Sequence, residues 1–199
     1  MVKLQLGSCQ SYKKDWVNTD GFPMDIKDMS IRSQVSLLDV TKTFPYDNNS
    51  VDFILAEHLI EHITYKQAEF MLSECSRVLK KTGVLRISTP DINFIMNLIE
   101  PNDINNQYID FISSKFLSNE EATSIHVINN AFRNWGHQFL YDEKTIMNLA
   151  EKCNMVAKKV TYGVSDYPEL NNIEQHGENI GNIPLTIAEC IVFEIKPFS

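Results

Sequence analysis

VSLLDVTKTFPYDNNSVDFILAEHLIEHI, residues 35–63, decides how the rest of the chain is read. Val35–Asp39 is an apolar run that stops at a carboxylate. Asp47, Asn48, Asn49 and Ser50 are turn formers, and Val51–Ala56 is a second apolar run closed by Glu57-His58. Short continuous apolar runs bounded by polar turns suit the buried strands of a parallel sheet. In such sheets ligands bind beyond the carboxyl ends of the strands. The same stretch also holds His58-x-x-Glu61-His62, a spacing that on a helix would bind a metal.

Working outward, KLQLGS within Val2–Ser8 reads as a short strand ending at Gly7-Ser8, and Trp16–Asp20 as another ending at a carboxylate. Val84–Ser88, Val156–Gly163 and Glu189–Lys196 supply three more. Between the fourth and fifth strands the spacing predicts a helix from Thr64 to about Lys81. Thr64-x-x-Gln67 is its capping box, Ala68, Met71, Leu72, Cys75, Val78 and Leu79 are its apolar stripe, and Gly83 is its expected stop. A later helix starts at the N-cap Asp142 and runs to about Cys153. Residues 92–137 are polar, Asn-rich and without strand signals, and read as a helical insertion after strand five. Ser165–Pro184 reads as a long loop. The whole, residues 1–199, is expected to be one domain: α/β, Rossmann-like, with a mainly parallel seven-stranded sheet and flanking helices.

A net charge of −8 argues against general nucleic-acid binding, which needs clustered Lys and Arg. The four cysteines form no C-x-x-C pair, so buried free thiols are expected. No leader-like or membrane-spanning run is present, and a cytoplasmic protein is expected.

Two readings of His58-x-x-Glu61-His62 compete. On a helix, Glu61 would serve as general base beside a zinc ion held by His58 and His62, giving a hydrolase. In the turn after a strand, the same residues would face a ligand cleft and hold no metal. The strand-turn-strand context favours the second.

The order LQLGS…WVNTD…LLDVTKTFPYDNNSVDFILAEHLIEHI…ECSRVLKKTGVLRISTPD resembles the class I S-adenosylmethionine-dependent methyltransferases, in particular their small type 11 branch. WGHQFLYDEKTIMNLAEKCN and YGVSDYPELNNIEQHG are similar to that branch's C-terminal half. The resemblance implies S-adenosylmethionine as methyl donor, S-adenosylhomocysteine as product, and a small-molecule or saccharide-type acceptor. By position it implies that Asp20 meets the ribose hydroxyls, and that Asp39 and the backbone of Val40 meet the adenine. Gly7 and Ser8 would approach the amino-acid portion, and Glu57 and His58 would lie beneath the methionine chain. For a hydroxyl acceptor a base is needed; His137, His58 and Tyr141 are the candidates carried forward, with His62 and Asp91 nearby. Trp135, Phe139 and Tyr141 could wall an acceptor pocket or fill the core. The insertion 92–137 would be a lid, and a homodimer contact through it stays open.

This chain departs from the family pattern at its start. The usual Gly-x-Gly after strand one is Gly7-Ser8-Cys9, and Asp20 follows Gly7 by only 13 positions, against about twenty in a dinucleotide-type unit. Residues 9–15 are too few for a crossover helix, so the first βαβ unit is shortened. A non-catalytic, methyltransferase-like binding protein is the alternative that this departure keeps open.

Overall fold

A computed structural model describes residues 1–117 and 123–198. Its strands are β1 (Lys3–Leu6), β2 (Val17–Asp20), β3 (Val35–Leu37), β4 (Val51–Glu57), β5 (Leu79–Pro90), β6 (Met155–Val160) and β7 (Cys190–Pro197). The helices are α1 (Met29–Arg32), α2 (Tyr65–Val78), α3 (Ile92–Asn97), α4 (Asp103–Phe116), α5 (Ser124–Arg133), α6 (Glu143–Lys152), α7 (His176–Ile180) and α8 (Ile183–Glu189). The strands form one sheet in the order β3-β2-β1-β4-β5-β7-β6, with β7 antiparallel to both neighbours and the other pairings parallel. The seven expected strands are therefore present, among the described residues, as one mostly parallel sheet.

Alternation along the strands gives the sheet two unlike faces. Leu4, Leu6, Ile54, Ala56, Leu85, Ile87, Phe193 and Ile195 point to one side and pack with Ala68, Met71, Leu72 and Cys75 of α2 and with Ile146, Leu149 and Ala150 of α6. This is the main core. The other face carries Phe53 and Val84, covered by Leu170, Trp16 and Tyr167 rather than by a long helix. It also carries Arg86 and Glu194, which pair with each other and, through Arg86, with Glu174 of the loop above.

No helix joins β1 to β2, so the shortened first crossover is real. Asn18 fills the space instead, exchanging hydrogen bonds with the backbone of Lys13.

Two local expectations are corrected. The helix after β4 ends at Val78, and Lys80 lies in β5, where it pairs with Asp52 at 2.8 Å. Gly83 is not a helix stop: a Cβ there would lie 2.9–3.0 Å from Leu79 Cδ2 and from the carbonyl oxygens of Asp52 and Lys80. It sits where the β4–β5 register slips, a place for a residue without a side chain. The stretch 165–184 is also more than a loop, since it contains α7 and the start of α8.

Helices α3, α4, α5 and α8 share a second apolar cluster built on Ile95, Tyr108, Ile112, Val127, Ala131 and Leu185. No helix among the described residues is long and apolar enough to cross a membrane.

Candidate functional site

A cavity of about 350 Å³ opens at the carboxyl ends of β1 and β4, within the size range of small-molecule sites. The β1–β2 loop forms one wall through Gly7, Ser8, Cys9, Gln10 and Ser11; the turn after β4 contributes Glu57, His58, Glu61 and His62. Helix α4 adds Tyr108, Ile112 and Phe116, the residues after α5 add Trp135 and His137, and α7 adds His176, Asn179 and Ile180. Four of the chain's five histidines therefore meet in one space.

At the β1 end, Gly7 has φ +62°, and a Cβ on it would fall 2.8 Å from Leu59 Cδ1. Only glycine meets both demands without strain. Next to it, Ser8 Oγ and the Gln5 amide oxygen are buried without hydrogen-bond partners. Buried polar atoms are nearly always satisfied, so two orphans on one cavity wall are fitted to a polar ligand.

At the β4 end the chain turns sharply through His58 (φ +46°) into a single 3-10 turn, Ile60–His62. The zinc-peptidase geometry is therefore not formed, since it needs an α-helix with both histidines on one face. His58 Nε2 instead lies 3.0 Å from Cys190 Sγ, and its Nδ1 lies 3.1 Å from Glu61 Oε1. Burial would lower the His58 pKa, but these neighbours outweigh it and hold the imidazole well above its usual value. Glu61 is fully buried, yet His58 keeps its carboxyl below the usual range, and Thr89 Oγ1 donates to Oε2 at 3.0 Å. Burial pushes the Cys190 thiol up to about 11, so it stays protonated at neutral pH.

Glu57 serves the fold as well as the cavity. Its carboxylate accepts from the backbone N–H of Gln175 (2.8 and 3.1 Å) and His176 (2.8 Å), pinning the start of α7. Burial raises its pKa and these hydrogen bonds partly offset the rise. His137 is placed by two consecutive left-handed residues, Trp135 (φ +58°) and Gly136 (φ +78°). Its Nδ1 lies 2.7 Å from the Ala131 carbonyl oxygen, so that nitrogen carries the hydrogen and Nε2 keeps its lone pair. Burial lowers its pKa.

Of the residues singled out by sequence, Gly7, Ser8, Glu57, His58 and His137 border the cavity, as does His62. Asp20, Asp39 and Val40 do not. The two oxygens of Asp20 accept from Cys9 N and Phe22 N, both at 2.8 Å, which shapes the loop carrying Ser8. Asp39 accepts from the backbone and hydroxyl of Thr41, and Val40 is in the main core. Tyr141 is fully buried in that core, its hydroxyl without a partner and its pKa raised by burial. Phe139 packs on Tyr65 and Tyr141 and is core also. Asp91 caps α3.

Sequence reasoning missed Gln5, Glu61 as a buried carboxylate, and His176. Gln5 had a signal: it is a polar residue between Leu4 and Leu6 in a central strand.

The sheet order, the cavity at the carboxyl ends of β1 and β4, and the glycine turn beneath it make up one arrangement, and residues 10–87 match the methyltransferase domain family Methyltransf_11. That match covers less than half of the chain, and the fold as a whole is that of the class I methyltransferases. Solved structures with the same fold include the CurJ carbon methyltransferase (10% identity, 99% of this chain and 48% of that one, TM-score 0.54). An S-adenosylmethionine-dependent methyltransferase from Clostridium acetobutylicum aligns at 11% identity over 99% of this chain and 84% of that one, TM-score 0.54. LepI in complex with S-adenosylmethionine aligns at 8% identity over 100% and 43%, TM-score 0.52. The chain thus spans about half the length of the CurJ protein. No curated protein sequence matches the chain. Of the three structures, that of LepI is the one with S-adenosylmethionine bound.

Proposed function

We propose that the domain transfers a methyl group from S-adenosylmethionine to a small-molecule or saccharide-type acceptor, in the cytoplasm. The observation that supports this most is the pair of partnerless polar atoms, Gln5 Oε1 and Ser8 Oγ, beside Gly7 at the end of β1. They suit the charged amino-acid head of the cofactor. Gly7 and Ser8 would hold that head together with Gln5, Asp20 would reach the ribose from the same loop, and Asp39 and Val40 would border the adenine. Glu57 and His58 would lie under the methionine chain.

The cofactor supplies an electrophilic sulfonium methyl. What the protein must add is proximity, orientation and a path for the acceptor proton. The lone pair of His137 Nε2 is the base, and the fixed Nδ1–H···O=C contact to Ala131 orients the ring. His58 supports it as a buried charge, while Tyr141, enclosed in the core, has no part. Residues 92–137 act as a lid and set acceptor choice through Ile112, Phe116 and Trp135, apolar walls with few polar groups among them. The whole chain, 1–199, works as one unit.

Calorimetry with S-adenosylmethionine and S-adenosylhomocysteine tests this, and absence of binding to either at high protein concentration would sink it. Asp20→Ala and Asp39→Ala should each weaken binding. One observation favours a second reading, that of a non-catalytic binding protein: both Asp20 oxygens are already engaged by backbone N–H groups in a loop without a crossover helix. Methyl transfer from labelled cofactor to any acceptor in a lysate would remove it.

A further inference from the structure

Glu61, His62 and His137 bring one carboxylate oxygen and two imidazole nitrogens within 4.8 Å of one another on the cavity wall. We propose that this trio binds a divalent transition ion of the zinc class, leaving an open position toward the cavity for a hydroxyl of the acceptor. The acceptor's part rests on the proposed methyl transfer; the metal site does not.

Three features of the scaffold argue for a built site. First, the two segments that carry the ligands are tied backbone to backbone. Gln138 N and Phe139 N donate to the Glu61 carbonyl at 2.7 and 3.3 Å, and Gln138 Nε2 donates to the His62 carbonyl at 2.8 Å. Second, two of the three ligating groups, His137 and Glu61, have outer partners that orient them. The Nδ1–H of His137 is held by Ala131 O, which leaves Nε2 to coordinate, and the Glu61 carboxylate is positioned by Thr89 and His58. Metal-binding histidines ordinarily donate their other N–H to such a carbonyl. Third, the His62 and His137 rings are 5.0 Å apart with planes at 69°, so they converge without stacking on each other.

Two imidazoles and one carboxylate with a vacant position is the donor set of catalytic zinc sites. Magnesium and calcium prefer oxygen ligands throughout. Tetrahedral zinc, with bonds of about 2.1 Å, needs ligand atoms about 3.4 Å apart, so the trio must close by roughly 1 Å. His62 has the room: opposite its Nδ1 stands Gly136, where an added Cβ would still be 3.8 Å away. An ion there takes up the lone pair of His137, so in the metal-bound state that ring is a ligand and not the base. The ion lowers the pKa of a coordinated hydroxyl, whose proton passes to solvent water.

The test is Co2+ titration of chelator-treated full-length protein, followed by visible absorption and Zn2+ displacement, with S-adenosylmethionine affinity measured in parallel. The expected result is one Co2+ per chain with the bands of a four- or five-coordinate site. Affinity should fall at least about 100-fold in His62→Gln and His137→Gln, and about 10–100-fold in Thr89→Val, with S-adenosylmethionine affinity little changed. In the wild type, Zn2+ should shift the ring nitrogen resonances of His62 and His137 but not those of His126, a readout that needs no variant. Overturning results are no stoichiometric Co2+ or Zn2+ uptake by folded wild type, or unchanged His62 and His137 resonances on adding Zn2+. Metal uptake without S-adenosylmethionine binding keeps the site and removes the methyl-transfer reading; the converse removes the site alone.

Discussion

The imidazole of His176 lies flat on that of His58, with ring centroids 3.7 Å apart and planes at 15°. One ring belongs to the turn after β4, the other to α7, more than a hundred residues later. The stack places α7 as a wall of the cavity, and it juxtaposes two rings of opposite disposition. His58 is held toward its charged form by Glu61 and Cys190, whereas burial, then the His58 charge, lowers the His176 pKa to about 3.

That gives a pH dependence with a definite sign. From about pH 6.5 down to about pH 3 the unfolded chain binds a proton at residue 176 that the folded chain refuses. The contribution of His176 to stability is therefore full above pH 6.5 and is lost as pH falls through this window. His176→Phe keeps an aromatic ring and removes the proton site. Its urea midpoint should fall less than that of the wild type between pH 7 and pH 5; equal falls would refute the neutral assignment.

Arg86 is the second place where buried charge decides stability. Its side chain is fully buried, 2.5 Å from Glu174 Oε1 and 2.9 Å from Glu194 Oε1, and it also donates to the carbonyls of Thr161 and Val164. Arg86→Met would strand two carboxylates in the interior, destabilising the protein by about 3–5 kcal/mol. For a chain of this size that is a Tm lowered by about 6–20 °C. Adding Glu194→Gln to Arg86→Met should recover part of the loss.

These cases mark what the sequence made legible. Strand β4 was readable because burial on both sides leaves a nearly unbroken apolar run, and its end at Glu57 marks the crevice. The end of α2 was not, because Lys80-Lys81-Gly83 satisfies every rule for a helix stop. Here tertiary pairing of Val51 with Leu79 wins over local preference. Helix α7 was illegible for a related reason: its five residues include Gly177 and three polar positions, His176, Glu178 and Asn179, and its first N–H groups are satisfied by Glu57, distant in sequence. The glycine-loop side of the cavity, where the family pattern looks eroded, is the side with the partnerless polar atoms. Ser8 stands at the middle position of Gly7-Ser8-Cys9, which the glycine pattern leaves unspecified, so no spacing rule anticipates its hydroxyl in the cavity.

The β1 wall can be taken apart by substitution. Gly7→Ala places a side chain at φ +62° against Leu59, costing about 1–2 kcal/mol in backbone strain, and should weaken S-adenosylmethionine binding with it. Ser8→Ala and Gln5→Leu impose no such strain. Each removes one orphan polar atom, worth about 0.5–1.5 kcal/mol once paired with ligand, so a loss of about 3–10-fold in affinity is expected by calorimetry, with Tm unchanged or slightly raised. Unaltered affinity in both would detach the cofactor from this wall.

Glu57 tests whether the α7 wall is clamped from β4 or merely rests there. Its two oxygens take up the N–H groups of Gln175 and His176, and Lys13, itself buried, donates to the Gln175 side chain at 2.8 Å. Glu57→Gln keeps the size but loses the charge and one acceptor, and turns an amide N–H toward backbone N–H groups. Hydrogen bonds to a charged group contribute about 1.5–3 kcal/mol, and every 1.4 kcal/mol is tenfold in an opening equilibrium. Amide exchange over residues 175–180 should therefore speed up by about 10–100-fold while β4 and β5 stay protected, because opening a short terminal wall leaves the main core intact. If exchange instead rises evenly across the sheet, Glu57 is a core residue of the whole fold and α7 is held by its own packing, through Gly177 against Ile183 and Thr186.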